Sequence, residues 1–459
     1  MKSILAALAL TAMLAPPLAA QSAMPADAAI AQILVDRIER DAANVAISVA
    51  VIEDGEARFI AHGPLSGDDP TPVDEHTLFE AGSITKVFTN LLLAQLVLEG
   101  KIDLDAPLTD YLPAGTVLPE RSGKAITAFD LATHSAGFSG LPEALMAAPD
   151  NPYSGYGADA LLAWVADYRL PRDIGEKFEY SNVGAALLGQ AMAHVTGLSY
   201  AELLQQRILA PLGMDETRLA TAPEEIEGMA QGHDASGEPV GNWDLDVFAP
   251  AGALVTNAAD LAKFIAAASG AVSTPLDAAF ALMLERTRPA DGEGEEVGLG
   301  WFVLNEGDRD IVWHNGITGG YRSFAGYDAE TGNGVVVLSS MAAAAGIEDI
   351  GFHLLDPTLP LREQPEPRQA VAIDPAILPA YAGNYALAPG IVIGVTAEDG
   401  RLFAQLTGQA RFEIFPESEK RFFYKAVDAQ ITFAELEAGV APMLMLHQNG
   451  QNITALRLP

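Results

Sequence analysis

Between Asp356 and Tyr381 the chain carries Pro357, Pro360, Pro365, Pro367, Pro375 and Pro379. Each proline removes a backbone donor and fixes φ, so neither a helix nor a central strand can run through this stretch. A length of 459 residues also exceeds what one hydrophobic core usually organises. Two folded units are therefore expected, residues 21–356 and 380–459, joined by a Pro-rich linker over 357–379.

The two units are patterned differently. In the first, Val45 to Ile52 is a β-branched run that meets the turn residues Asp54-Gly55 and continues in Ala57 to Ile60, the pattern of a buried hairpin. From Ser83 to Leu98 the apolar residues Ile84, Val87, Phe88, Leu91, Leu92 and Leu96 recur at helical spacing, with Gly100 as the stop signal. Helical periods alternate with Gly and Pro loops from Asp130 to Met214. Val297 to Leu304, Ile311 to Trp313, Phe324 to Tyr327 and Gly334 to Ser339 read as closely spaced strands. Strands at both ends with helices between predict an α+β unit, one antiparallel sheet flanked by helices. In the second unit, short runs at Ile391 to Val395, Leu402 to Leu406, Phe412 to Phe415, Arg421 to Tyr424, Ile431 to Phe433, Met443 to His447 and Ala455 to Leu458 are punctuated by Asp399-Gly400 and Asn449-Gly450. They predict a small all-β barrel.

Composition excludes several classes of function. A formal net charge of −35 sets the surface against phosphate backbones and anionic head groups, which removes nucleic acid as a partner. The absence of cysteine excludes disulfides, thiolate metal sites, a cysteine nucleophile and the acylated cysteine of a lipoprotein. Asp and Glu are scattered, as on a solvated acidic surface, and no metal or other cofactor is implied. Lys2, the apolar run Ile4 to Ala15 and the small residues Leu18-Ala19-Ala20 read as an export signal over residues 1–20. The alternative is a retained anchor, but the run is shorter than the roughly 20 residues that cross a bilayer. The mature chain is expected to lack stable membrane insertion and to be secreted across the inner membrane into the periplasm.

Three segments carry chemistry. In Ala81-Gly82-Ser83-Ile84-Thr85-Lys86 the serine and the lysine are three residues apart at the start of the apolar helix and share one face. A capping serine followed by a solvated lysine is the plain alternative. A lysine on an otherwise apolar helix is costly, however, unless it is paired or loses its proton, and a neutral amine is what a serine nucleophile needs beside it. In Phe178-Glu179-Tyr180-Ser181-Asn182-Val183-Gly184, the phenol can shuttle a proton if a neighbouring cation lowers its pKa, and Asn182 can hold the lysine or a substrate carbonyl. The alternative is a core tyrosine with a satisfied hydroxyl. In Trp313-His314-Asn315-Gly316-Ile317-Thr318-Gly319-Gly320 the glycines let a strand edge pass close to a ligand, or mark a hairpin beside an ordinary histidine.

In this order the three segments resemble the penicillin-binding-protein and serine β-lactamase superfamily. Leu131-Ala132-Thr133-His134-Ser135-Ala136-Gly137, Pro211-Leu212-Gly213-Met214, Pro250-Ala251-Gly252-Ala253-Leu254-Val255 and Gly298-Leu299-Gly300-Trp301 are similar to its class C branch. The resemblance implies Ser83 as acyl-accepting nucleophile, Lys86 as its activator and Tyr180 as proton shuttle. It also implies the backbone N–H groups of Ser83 and Ile317 as oxyanion hole, with Asn182, His314 and Gly316 lining the substrate site and His134 in a structural role. One departure is the third motif, His-Asn-Gly, where typical class C β-lactamases carry Lys-Thr-Gly to hold the substrate carboxylate; histidine there is more familiar in D-aminopeptidases and D,D-peptidases. The tail resembles an appended lipocalin-like domain through Leu378-Pro379-Ala380-Tyr381-Ala382-Gly383-Asn384-Tyr385 and Gln405-Leu406-Thr407-Gly408-Gln409. The function so implied is cleavage of an amide bond, in a β-lactam or a D-amino-acid-containing peptide, through an acyl-enzyme on Ser83. The alternatives are an esterase on the same fold and a catalytically silent sensor of cell-wall peptides. The partner expected is a small-molecule or peptide substrate. No Gly-x-Ser-x-Gly or His-Glu-x-x-His occurs, which argues against a nucleophile-elbow hydrolase and a zinc peptidase.

Overall fold

Why Val45 to Ile52 lacks the alternation of a half-exposed strand is explained by where it lies. In the computed structural model, β1 (Ile47–Glu53) sits inside a sheet covered on both faces. The structure describes residues 24–138, 141–142, 145, 151–220, 226–306, 309–343, 345–364, 370–388, 391–407, 411–425, 429–448 and 451–458. The export signal over residues 1–20 and the Asn449-Gly450 turn lie outside them.

In chain order the remaining strands of the first unit are β2 (Glu56–His62), β3 (Phe79–Glu80), β4 (Arg218–Leu219), β5 (Leu254–Thr256), β6 (Arg288–Pro289), β7 (Glu295–Val297), β8 (Phe302–Glu306), β9 (Arg309–Ile317), β10 (Arg322–Asp328) and β11 (Gly334–Ser339). Eight of them form one antiparallel sheet in the order β2-β1-β11-β10-β9-β8-β7-β6, while β3, β5 and β4 form a small separate sheet. Alternate residues of β1 enter different cores. Ile47, Val49 and Val51 pack with Phe324, Val335 and Val337 against the helices Asp27–Val35 and Glu348–Leu355. Ala50 and Ile52 join Ala325, Val336 and Leu338 in the larger core on the opposite face. Asp54 and Gly55, at φ of 52° and 80°, form the left-handed two-residue turn that suits a twisted hairpin.

The larger core is built around the helix Thr85–Leu98, whose buried residues include Val87, Phe88, Leu91, Leu92, Leu93 and Leu96 but also Lys86 and Asn90. A helix apolar nearly all round belongs in the middle of a layer, and neighbours Asn182–Thr196, Ala258–Ala268 and Asp277–Glu285 provide it. Phe88 stacks on Phe264 with ring centroids 4.0 Å apart.

The single strand expected over Val297 to Leu304 is instead the hairpin β7–β8, with Val297 paired to Phe302. Gly300 is the reason: it takes φ of 78°, and a Cβ there would lie 2.8 Å from Asn90 and 3.0 Å from the Lys86 carbonyl. The turn therefore rests directly on the lysine-bearing helix.

The tail forms a closed antiparallel barrel of eight strands, β12 (Gly383–Ala388), β13 (Ile391–Glu398), β14 (Arg401–Leu406), β15 (Arg411–Pro416), β16 (Arg421–Tyr424), β17 (Ala429–Phe433), β18 (Met443–Gln448) and β19 (Gln451–Arg457), in sequential order. The runs read from sequence account for seven; β12, with Tyr385 fully buried inside, was not among them. Asp399 and Gly400, at φ of 50° and 75°, make the β13–β14 turn. Side chains fill the interior, including Ile393, Leu402, Phe422, Ile431, Phe433 and Leu444.

The Pro-rich stretch is not a free tether over its described parts. Leu359 and Leu361 pack on the first unit, and the Arg362 N–H donates to Asp349 Oδ2 at 2.7 Å. Pro375–Ala380 forms a 3₁₀ turn whose Leu378 enters the barrel core, and Tyr381 stacks on Phe433 at 4.3 Å. Among the described residues no helix is long and apolar enough to cross a membrane.

All four tryptophans, Trp164, Trp243, Trp301 and Trp313, precede the barrel. Truncating the buried plug, Leu378→Ala, is expected to lower barrel stability by about 2–4 kcal/mol. Circular dichroism during denaturation should show an earlier β-sheet transition while the tryptophan-fluorescence midpoint stays in place.

Candidate active site

Ser83 lies in the 3₁₀ turn Gly82–Ile84, between β3 and the helix Thr85–Leu98. The turn is fixed from outside. Ala81 N–H donates to the Leu254 carbonyl, and Ser323 Oγ on β10 donates to the Ala81 carbonyl at 2.7 Å. Thr85 Oγ1 donates to the Gly82 carbonyl at 2.7 Å while accepting from the Leu254 N–H at 3.0 Å.

One turn on, Lys86 Nζ donates to Ser83 Oγ at 3.0 Å and to the Ala251 carbonyl at 2.7 Å. Only 1% of the residue is exposed. Burial pulls the amine down to about 7, because the charged form loses water without gaining a carboxylate. The segment Pro250 to Gly252 earns its place here: its short helix Ala249–Gly252 aims the Ala251 carbonyl at Lys86. It packs so tightly on Gly189 that a Cβ there would sit 2.3 Å from Pro250.

Tyr180 precedes the helix Asn182–Thr196, which Ser181 caps by accepting from the Gly184 N–H. Lys86 Nζ lies 4.8 Å from the centre of the Tyr180 ring. His134, held at φ of 52°, brackets this tyrosine: its carbonyl accepts from the Glu179 N–H at 2.7 Å and its Nδ1 from the Ser181 N–H at 3.1 Å. The imidazole also lies 4.4 Å from the Tyr180 ring. Burial and the nearby Lys86 keep His134 well below its ordinary pKa, so it is a neutral support, in keeping with a structural role.

The strand β9 runs past its neighbour. Its pairing with β8 ends at Trp313 opposite Phe302, which leaves the edge from His314 to Ile317 facing the serine turn. The approach is close. A Cβ on Gly316 would fall 1.9 Å from the Ala81 carbonyl, and one on Gly82 would fall 2.8 Å from the Ile317 nitrogen. Only glycine allows either contact. The two backbones that carry Ser83 and Ile317 are thereby brought together.

These positions coincide with a family pattern. The profile described as Beta-lactamase matches residues 34–355, and a second, described as a domain of unknown function (DUF3471), matches residues 367–455. The chain belongs to the β-lactamase family. Penicillin-binding protein 4* of Bacillus subtilis is 26% identical over 416 residues, covering 84% of this chain and 89% of that protein. A β-lactamase of Pseudomonas fluorescens is 28% identical over 327 residues, 64% of this chain and 88% of that protein. An octameric penicillin-binding protein homologue from Pyrococcus abyssi superposes with a TM-score of 0.65 at 23% identity, over 93% of this chain and 99% of that one. As a member of this family the protein is a serine hydrolase of the penicillin-binding-protein type.

Two expectations for this β-lactamase-family site need correction. The condition set for the Tyr180 phenol, a neighbouring cation that lowers its pKa, is not met: burial raises it, against the opposing pull of the Ser83 hydroxyl. Tyr180 is 38% exposed, so solvent moderates the rise. His314 was to line the substrate site, but it is 1% exposed, beneath Tyr180 and Phe302 with ring centroids 6.3 and 5.2 Å away. Its Nδ1 donates to the Asn315 carbonyl at 2.5 Å, and its Nε2 is buried without a partner. Burial, then the Lys86 charge, pulls it down to about 3. Lys86 thus disfavours charge on both His134 and His314, and His314 adds to the effect on His134.

Asn182 is half-buried, donates from Nδ2 to the Tyr153 hydroxyl at 3.0 Å and keeps Oδ1 buried without a partner. Sequence reasoning missed Tyr153, which packs against Trp243 and Phe248 at 5.6 and 5.1 Å. No local signal marks it, since its partners lie some thirty and ninety residues away in sequence. Among the described residues no cluster of His, Cys, Asp or Glu is suited to a metal ion.

An amine must be unprotonated to take a proton from Ser83. With Lys86 near 7, acylation of Ser83 is expected to fall about tenfold per pH unit below that value and to level off above it. The pH profile of fluorophosphonate labelling checks this. His134 and His314, both held neutral, should add no further ionisation near pH 6.

Proposed function

We propose that this serine hydrolase cleaves amide bonds, in β-lactams or in peptides containing D-amino acids, through an acyl-enzyme on Ser83. The observation that carries the reading is the 3.0 Å contact between Ser83 Oγ and an amine that burial holds near neutrality. Ser83 Oγ attacks the substrate carbonyl carbon while its proton passes to Lys86 Nζ. The developing oxyanion is met by the backbone N–H groups of Ser83 and Ile317, donors already fixed by the glycine contacts at Gly82 and Gly316. As the C–N bond breaks, Tyr180 relays a proton to the leaving nitrogen. Water then attacks the ester, giving a carboxylic acid and free Ser83, with Lys86 and Tyr180 again moving the proton. Asn182 orients the substrate carbonyl side, held in turn by Tyr153.

The likeness to penicillin-binding protein 4* and to the Pseudomonas β-lactamase supports this substrate class. Burial of a neutral His314 favours one second reading, an esterase, because simple esters need no charged side chain at the third motif. The pattern of Lys2, Ile4 to Ala15 and Leu18-Ala19-Ala20 supports export and a periplasmic location.

Mass spectrometry of the purified protein after exposure to a fluorophosphonate and, separately, to a penicillin tests the proposal. Both adducts should map to Ser83, and Ser83→Ala should lose labelling and turnover altogether. A stable penicillin adduct means a peptidase-like site, and a transient one means β-lactamase turnover. Failure of both reagents to modify Ser83 in folded protein would exclude the acyl-enzyme and leave the silent sensor.

A further inference from the structure

Three residues before the serine, Glu80 is 5% exposed on β3. Among the described residues no cation pairs with it, and burial pushes its carboxyl up to about 7. Such a group is expensive where a similar apolar side chain would pack for less. Its surroundings account for it. Glu80 Oε1 accepts from the backbone N–H of Trp243 at 3.2 Å. Thr318 is the second group facing the carboxyl. Its hydroxyl is near enough to hold the carboxyl's pKa down yet lies outside hydrogen-bond geometry, which leaves Thr318 Oγ1 buried without a partner. The third is the Tyr321 phenol, whose pKa rises through burial and then through the Glu80 charge.

Those neighbours belong to the segments that wall the site. Trp243 lies against the turn after β9, where a Cβ on Gly319 would fall 2.6 Å from its Nε1. Thr318 follows Ile317 directly and donates its N–H to the Tyr321 carbonyl at 3.1 Å. Residues 80 and 82 of one chain segment therefore meet residues 318 and 317 of another, through a carboxyl and a glycine respectively.

We propose that Glu80 is a positioning residue that ties the Trp243 loop and the Ile317–Gly320 turn to the strand delivering Ser83, and so keeps the Ile317 N–H aimed at the substrate carbonyl. The proposal rests on the acyl-enzyme reading above. An oxyanion donor acts on the transition state more than on bound substrate. Loosening it should therefore lower kcat and spare KM.

The test compares Glu80→Ala, Glu80→Gln and Glu80→Met with the wild type, using an ester substrate and counting active sites by fluorophosphonate titration of Ser83. Per titrated site, Glu80→Ala should lose about 10- to 100-fold in kcat with KM within about twofold. Glu80→Gln keeps an acceptor for the Trp243 N–H and should recover most of that loss. Glu80→Met, apolar and of similar length, removes the acceptor without leaving a cavity; it should show the same kcat loss, and it decides the matter if Glu80→Ala does not fold. An unchanged kcat per titrated site in the folded variants would overturn the proposal, as would a loss confined to the number of titratable sites. Wild-type protein that takes no label at Ser83 would instead remove the acyl-enzyme reading beneath it.

Discussion

Lys86 Nζ has two acceptors, Ser83 Oγ at 3.0 Å and the Ala251 carbonyl at 2.7 Å, and 1% of the residue is exposed. Neither acceptor carries a charge, so burial there favours the neutral amine and pulls its pKa down to about 7. That condition organises the centre of the first unit. The helix that bears Lys86 must be buried on every side, which requires the surrounding helices and the β7–β8 turn at Gly300 to close over it. His134 and His314 fill the remaining space as neutral imidazoles. An acid residue in either place would pair with the amine and restore the ammonium.

A second constraint is distance between backbones. Gly82 and Gly316 leave so little room that β9 and the serine turn approach without an intervening side chain, and Ser323 pins the contact through the Ala81 carbonyl. Preorganisation of this kind is what makes backbone donors effective, since nothing need reorganise as charge develops. On the other side Tyr180 is set by the Ser181 cap and by His134, which holds the N–H groups of residues 179 and 181. The Ser83 turn and Tyr180 are thus each held through hydrogen bonds to the main chain beside them.

What was legible in the sequence follows from this geometry. Ser83 and Lys86 are separated by one helical turn, so their contact is local and the spacing alone announces it. The Tyr180 and His314 segments are local too, each a side chain on a capped helix start or a glycine-flanked strand end, and their order is enough to recognise the family. Glu80, Tyr153 and Trp243 carry no such mark, because they meet across 90 to 163 residues of chain. The same holds for burial: a sequence shows that His314 stands before Gly316, but Tyr180 and Phe302 come from elsewhere to cover it. The Val297 to Leu304 run was misread because the turn at Gly300 is dictated by Asn90, on a helix two hundred residues earlier.

The barrel shows the complementary case. Its strands alternate at period two and the β13–β14 turn carries Asp399-Gly400, so the architecture was readable except at β12 (Gly383–Ala388), which follows closely on the segment taken as a boundary. Eight strands close around a space just wide enough for side chains, and here Tyr385, Phe422, Phe433 and their neighbours fill it, with Leu378 added from the preceding 3₁₀ turn. Among the described residues these side chains form one continuous apolar core. The stretch between the units is held by its own side chains and backbone at both described ends, by the Arg362 N–H on Asp349 of the Glu348–Leu355 helix at one and by Leu378 in the barrel core at the other, so each unit's packing fixes where the connection begins and ends.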